Sequence, residues 1–249
     1  VVRCADFVRR QDWLAIGGCV VIVFLLHRGI NRGWPEELRR RDVARAYTQL
    51  GAAYAAAGRD DEARQALRDS LAADPNSIEA LAGLGYNQFQ QGRYAEAAEH
   101  FRAALRLSPG IDVHEMLARS LIKLDRWGEG IDVLRSGTED LPHYLDMKRM
   151  LAFILATCPD ARHRDGREAV RLAEMVRDFG PEIPETFDTL ACAYARVGRY
   201  EDALRSARKA LEIAQRVLQL EALEQINLHI RQFERRRPFT QFEQVPGAW

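Results

Sequence analysis

Metal or nucleophilic chemistry in this chain would run through its histidines, His27, His100, His114, His143, His163 and His229, and its cysteines, Cys4, Cys19, Cys158 and Cys192. A metal site asks for ligands at short spacings, such as two histidines one helical turn apart or a CxxC pair. Neither pattern occurs. The nearest approach is Cys158 with His163 inside the string TCPDARHRDGR, where two further ligands are missing within sequence reach. In that string Asp160, Arg164 and Asp165 are better placed to cap helices and to pair with one another, and Asp165 is expected to cap a helix starting near Arg167. The phosphate-cradling strings GxxxxGK[ST] and GxGxxG and the nucleophile elbow GxSxG are also missing. The residues therefore predict no catalytic site, no metal and no cofactor, with the cysteines serving as small apolar side chains or idle thiols. Cys158 and Cys192 fall on the first helices of consecutive hairpins, so a bridge between them stays open, its geometry beyond what spacing fixes.

The elements that would position any site are helical. Lys plus Arg and Asp plus Glu both number 36, for a formal net charge of +0, so bulk charge selects neither nucleic acid nor an anionic surface. Hydrophobic residues make up 47% of the 249 residues, much of it alanine, and glycine and proline fall at intervals rather than in clusters. That favours an all-α chain large enough to fold without disulfides or metals.

A period organises the helices. Pro75, Pro109 and Pro142 stand 34 and 33 residues apart. In the same register Leu50-Gly51 returns as Leu84-Gly85 and Leu117-Ala118, Gly58-Arg59 as Gly92-Arg93, and Glu62-Ala63 as Glu96-Ala97 and Glu129-Gly130. Each marker has a physical task in a helix-turn-helix hairpin. Gly51, Gly85, Ala118, Ala152 and Ala191 keep the crossing of two helices close. Gly58, Gly92 and Gly198 end the first helix in a left-handed residue. Ala63, Ala97 and Ala203 let the second helix lie against the first, with Leu67, Phe101 and Leu134 filling the space between. Pro75 and Pro109 stop the second helix.

These positions resemble the tetratricopeptide repeat: Leu50, Gly51, Tyr54, Ala63 and Pro75 in the first unit, then Leu84, Gly85, Ala97, Phe101, Ala104 and Pro109 in the second. The third unit departs from the pattern at Arg119, Gly130 and Gly137, the fourth carries a lengthened turn at Pro159 to Gly166, and the fifth runs clearly from Phe187 to Leu211. The string LATCPDARHRDGREAVRLAE followed by DTLACAYARVGRYEDA is similar to the closing repeats of bacterial membrane-anchored tetratricopeptide proteins, including the tails of some multi-span glycosyltransferase-like proteins.

The resemblance implies a right-handed solenoid of about five hairpins, closed at its end by a capping helix that covers the last apolar face. It implies protein-protein interaction through a concave groove lined by the first helices. On that register Tyr86, Phe89 and Phe153 are expected to anchor apolar side chains of a bound peptide. Arg119, Lys123 and Arg149 are expected to meet its carboxylates, with Ile122 beside them. The lysine and paired asparagines with which chaperone-binding members clamp a terminal carboxylate are missing, since Ala52 and Tyr86 stand where the asparagines would be.

Residues Trp13 to Leu26, WLAIGGCVVIVFLL, form an uncharged run flanked by Arg9, Arg10, His27 and Arg28. A full span wants about 20 apolar residues, and counting through Ile30, with His27 and Arg28 reaching toward headgroups, predicts a single transmembrane anchor over 13–30. The following residues HRGINRGWPEE offer no small-residue cleavage site. Arg28, Arg32, Arg39, Arg40, Arg41 and Arg45 after the run outnumber Arg3, Arg9 and Arg10 before it, which predicts a cytoplasmic solenoid. The resemblance to bacterial membrane-anchored proteins implies that the membrane is a bacterial inner membrane, crossed once.

The expected organisation is an N-terminal flank over 1–12, the anchor over 13–30, a linker over 31–43 and the solenoid over 44–214. A capping helix continuing from the last repeat takes 215–236, and a flexible tail 237–249. The expected function is a membrane-anchored scaffold for other proteins or peptides, as an accessory subunit of a membrane complex, with no nucleic acid among its partners. The alternative is the non-catalytic repeat tail of a multi-span glycosyltransferase-like protein.

Overall fold

In the computed structural model the described residues are 16–18, 20–21 and 36–241. Among them regular structure is helical throughout. The helices are α1 (Glu36–Ala56), α2 (Asp60–Ala73), α3 (Ile78–Gln90), α4 (Tyr94–Leu107), α5 (Ile111–Lys123), α6 (Trp127–Asp140), α7 (Leu145–Thr157), α8 (Gly166–Phe179), α9 (Pro184–Arg196), α10 (Tyr200–Arg216) and α11 (Leu220–Glu234). A short 3-10 turn, Ala161–His163, lies between α7 and α8. The chain divides into two compact units, 1–124 and 125–249.

In the first unit α1 pairs with α2 and α3 with α4, and α5 packs on α4. The small residues of the repeat are required by close crossings: a Cβ on Gly51 would lie 2.8 Å from Leu67 Cγ, and one on Gly85 only 2.7 Å from the ring of Phe101. Phe101, Ala97 and Ala104 are fully buried against that crossing. Gly58 and Gly92 take φ of 69° and 74°, the left-handed conformation that ends a helix. The amides of Arg59 and Arg93 then reach back to the carbonyls of Tyr54 and Gln88. The arginine after each turn pairs with an acid three residues on, Arg59 with Glu62 and Arg93 with Glu96, in the first turn of the next helix.

The second unit repeats these devices. Asp125 takes φ of 58° in the place of the turn glycine, and Arg126 with Glu129 and Arg199 with Asp202 renew the turn pair. The lengthened turn after α7 is organised as its sequence suggests at one end: Asp165 accepts a hydrogen bond from the Glu168 amide at 2.9 Å and caps α8. Asp160 pairs with Arg162. Arg164 does something different, donating to the carbonyls of Cys158 and Pro159, both at 2.6 Å, where the last turn of α7 leaves acceptors without helical partners.

Several expected boundaries shift. The linker expected over 31–43 is helical from Glu36. The capping helix does not continue from the last repeat: α10 ends at Arg216, Leu218 takes φ of 56°, and α11 starts afresh at Leu220. Cys158 and Cys192 are both buried free thiols, so the bridge between them is not formed. Residues 237–241 of the expected flexible tail are fixed against the second unit, while 242–249 lie outside the described residues.

Of the expected anchor, Ile16–Gly18 and Val20–Val21 are described and helical, and the rest of 13–30 lies outside the described residues. Ile16 is buried with Leu50 and Ala66 of the first hairpin. Among the described residues no helix is long and apolar enough to cross a membrane.

Candidate functional site

The expected groove residues divide between the two units. Tyr86 and Phe89 stand on α3 and Arg119, Ile122 and Lys123 on α5, all in the first unit, whereas Arg149 and Phe153 stand on α7 in the second. On α3, Tyr86 keeps 37% of its surface exposed and packs edge-on against Phe101, ring centroids 5.4 Å apart. Phe89 is half-buried and turns its ring toward Tyr94 at 5.2 Å.

Three α5 residues, Asp112, Glu115 and Arg119, lie close enough to Tyr86 to act on its phenol. Burial, then the carboxylates of Asp112 and Glu115, push the Tyr86 phenol above its ordinary range, opposed by the nearby Arg119 guanidinium. Arg119 pairs with Glu115 at 2.7 Å, but its Nε is shielded from solvent and has no hydrogen-bond partner. Ile122 is half-buried and Lys123 exposed at the end of α5. Chemically this is a patch with an exposed aromatic ring, one part-exposed, acid-paired cation and a second cation close by in sequence. It suits an extended or helical segment with apolar and acidic side chains.

The two α7 residues behave differently. Arg149 is held to Asp146 at 3.2 Å, and Phe153 is buried, with 6% of its surface exposed. Phe153 is therefore part of the packing rather than an exposed anchor: the position that faces outward in the idealised register is here covered.

Two arrangements in the second unit were not expected. In the first, Asp188 and Cys192, one turn apart on α9, meet His229 of α11. Asp188 Oδ1 lies 2.7 Å and Cys192 Sγ 3.7 Å from His229 Nδ1. The three potential ligand atoms fall within 4.8 Å of one another and all three residues are buried. The 2.7 Å separation is a hydrogen bond between carboxylate and ring, and it ties α11 to α9. Burial, reinforced by the Asp188 carboxylate, pushes the Cys192 thiol well above its ordinary range, so it is held in the unreactive protonated form.

In the second arrangement, the chain after α11 turns at Arg236, φ 52°, and runs back over α9 and the end of α7. The Phe239 ring lies on His229 with centroids 4.1 Å apart, Arg196 Nη2 donates to the Phe239 carbonyl at 2.8 Å, and the Gln241 amide donates to the Thr157 carbonyl at 2.8 Å. Sequence periodicity had no access to either arrangement, because each joins side chains more than one repeat apart.

Residues 60–137 match the family described as anaphase-promoting complex, cyclosome, subunit 3, and residues 43–73 and 185–221 match a tetratricopeptide-repeat family. Among curated proteins, the chain is 25% identical over 170 residues to the DnaJ homolog subfamily C member 7 homolog of Schizosaccharomyces pombe. The match takes in 61% of this chain and 35% of that relative, so the chain spans about a third of the relative's length. Among solved structures, YrrB, described as a TPR protein with an unusual peptide-binding site, is 21% identical with a TM-score of 0.60, over 76% of this chain and 92% of that one. MamA is 22% identical with a TM-score of 0.59, over 68% of this chain and 97% of that one. At these identities the structural likeness speaks for the fold alone.

Proposed function

The chain belongs to the tetratricopeptide-repeat proteins, and on that premise we propose that it is a membrane-anchored scaffold whose α3/α5 face docks a segment of another protein. The observation that carries the docking face is Tyr86, exposed on α3 beside the part-exposed guanidinium of Arg119, which Glu115 holds in place through Nη2. A ring stiffened by its edge contact with Phe101 gives contact area at little entropic cost, and Arg119 supplies the charge-assisted hydrogen bond. The fitting partner segment carries a large apolar side chain next to an Asp or Glu. The peptide-binding site for which YrrB is known supports the same use of the fold.

The anchor is residues 13–30, argued from the length and flanks of the apolar run; on this reading Ile16 leaves its contact with Leu50 and Ala66 when the segment inserts, and the repeats stand on the cytoplasmic side of a bacterial inner membrane as an accessory subunit of a membrane complex. Two experiments test the parts separately. A photo-crosslinking residue at position 86 of the membrane-embedded protein is expected to capture one specific protein, and capture is expected to fall at least tenfold with Arg119→Glu; equal capture from position 179, exposed and far along the chain, removes the docking face. In liposome flotation the full chain is expected to rise with lipid and a chain starting at residue 36 to stay below. Equal flotation of both removes the anchor.

A further inference from the structure

Residues 238–241 touch the second unit through three separate elements, and each contact is of a kind that recognises a peptide. From α11, His229 offers its ring to the Phe239 ring at 4.1 Å, and Asp188, 2.7 Å away on α9, fixes that ring by its Nδ1. From α9, Arg196 donates to the Phe239 carbonyl at 2.8 Å and to the Thr240 hydroxyl at 3.2 Å. From α7, the Thr157 carbonyl accepts the Gln241 amide at 2.8 Å.

Arg196 is held by contacts that do not involve residues 238–241. Its Nε donates to the Ala156 carbonyl in the last turn of α7, and its stem lies so close to Gly166 that a Cβ there would sit 2.8 Å from Arg196 Cγ. Burial, with repulsion from Arg164, lowers the Arg196 pKa from its ordinary value, and the acceptors around it keep the guanidinium hydrogen-bonded in that setting. Two contacts to the segment's backbone set its path and leave its sequence open. Selection falls to the ring seat on His229 and the hydroxyl beside Arg196.

The resident segment fills this seat imperfectly. His229 Nε2 and Gln241 Nε2 are both buried and lack hydrogen-bond partners. His229 Nε2 belongs to the track, and a different segment that pairs it would fit better than the one in place; Gln241 leaves with the resident segment and its amide is freed to water.

We propose that the α7–α9–α11 surface of the second unit is a binding track for an extended segment of another protein, with an aromatic residue followed by a hydroxyl-bearing one, and that residues 238–241 are the built-in occupant this partner displaces. The track is independent of the α3/α5 face, which lies in the first unit, so either can fail alone. A tethered occupant competes at an effective concentration of roughly the millimolar range, which hides the track from weak ligands.

The test uses the full chain and a fluorescent peptide of residues 237–249. Phe239→Ala in the protein, which empties the ring seat, is expected to raise affinity for this peptide at least tenfold over the unaltered chain. Adding Arg196→Ala, or replacing the same Phe by Ala in the peptide, is expected to abolish the gain. A chain ending at Arg237 is expected to keep its helical circular dichroism and to bind as the Phe239→Ala protein does. The proposal is overturned if both folded variants ignore the peptide, if binding is indifferent to Arg196, or if ending the chain at Arg237 melts the C-terminal helices, since the segment is then core rather than occupant.

Discussion

Buried thiols and a surface carboxylate in this chain depart from ordinary behaviour for opposite reasons, and both departures are measurable. Cys192 is desolvated on every side and faces the Asp188 carboxylate, so its thiolate is disfavoured twice. In a C4S/C19S protein, neither Cys192 nor the buried Cys158 is expected to react with an aromatic disulfide reagent at pH 8 until denaturant is added; prompt release of one equivalent would contradict that burial. Asp160 is half-buried at the surface, and its hydrogen bonds from the Arg162 side chain and amide bring its carboxyl down to about 2. A depressed carboxyl contributes stability that is present above its unfolded value near 3.8 and is lost as pH falls toward about 2, so the contribution spans only that acid window. Carboxyl NMR of Asp160 is expected to show that low midpoint in the native protein, and Arg162→Ala to return it toward the ordinary value. Asp160 and Asp165 were legible as capping residues because capping is local. Asp188, Cys192 and His229 were not, since 41 residues separate Asp188 from His229 and only the packing of α11 on α9 brings them together.

Helix ends decide how this chain is cut into elements, and the residue that marks them in most repeats is glycine. Gly58, Gly92 and Gly198 carry positive φ and announce their turns in the sequence, whereas Asp125 and Leu218 occupy the same conformation without announcing it. This is why the hairpin period could be read from Gly and Pro while α10 and α11 read as one helix: a leucine gives no stop signal. The left-handed region costs a leucine about 1–2 kcal/mol, and at 80% exposure its side chain recovers little by burial. Leu218→Gly is therefore expected to stabilise the protein by about 0.5–1 kcal/mol after the extra chain entropy of glycine is set against the relief. The urea midpoint should rise with an unchanged slope; a fall would mean that Leu218 contributes packing the exposed side chain does not suggest. The groove was legible to the same local depth. The register put Tyr86 and Arg119 on adjacent first helices, as found, but whether an outward position stays open depends on what covers it, and Phe153 is covered.

Stability in a chain built from stacked repeats is close to a sum of repeat terms and nearest-neighbour terms, so damage should fade with distance along the chain. Phe101 makes the point testable, because it is fully buried where α3 and α4 cross and Gly85 has no side chain to spare for the gap. Phe101→Ala removes a ring and leaves a cavity, at a cost of about 3–5 kcal/mol. In a two-state globule that loss would lower the protection of every slowly exchanging amide by a similar factor. In a nearest-neighbour stack the loss concentrates instead. Hydrogen exchange read by mass spectrometry is expected to show protection in α3, α4 and α5 falling by orders of magnitude while α9, α10 and α11 change by less than a factor of about three. The reciprocal variant, Leu190→Ala in the buried face of α9, is expected to spare α1 to α4. Uniform loss across both units in either variant would show that they unfold as one body, and the two docking surfaces proposed for them, one in each unit, would then be expected to be thermodynamically coupled rather than independent.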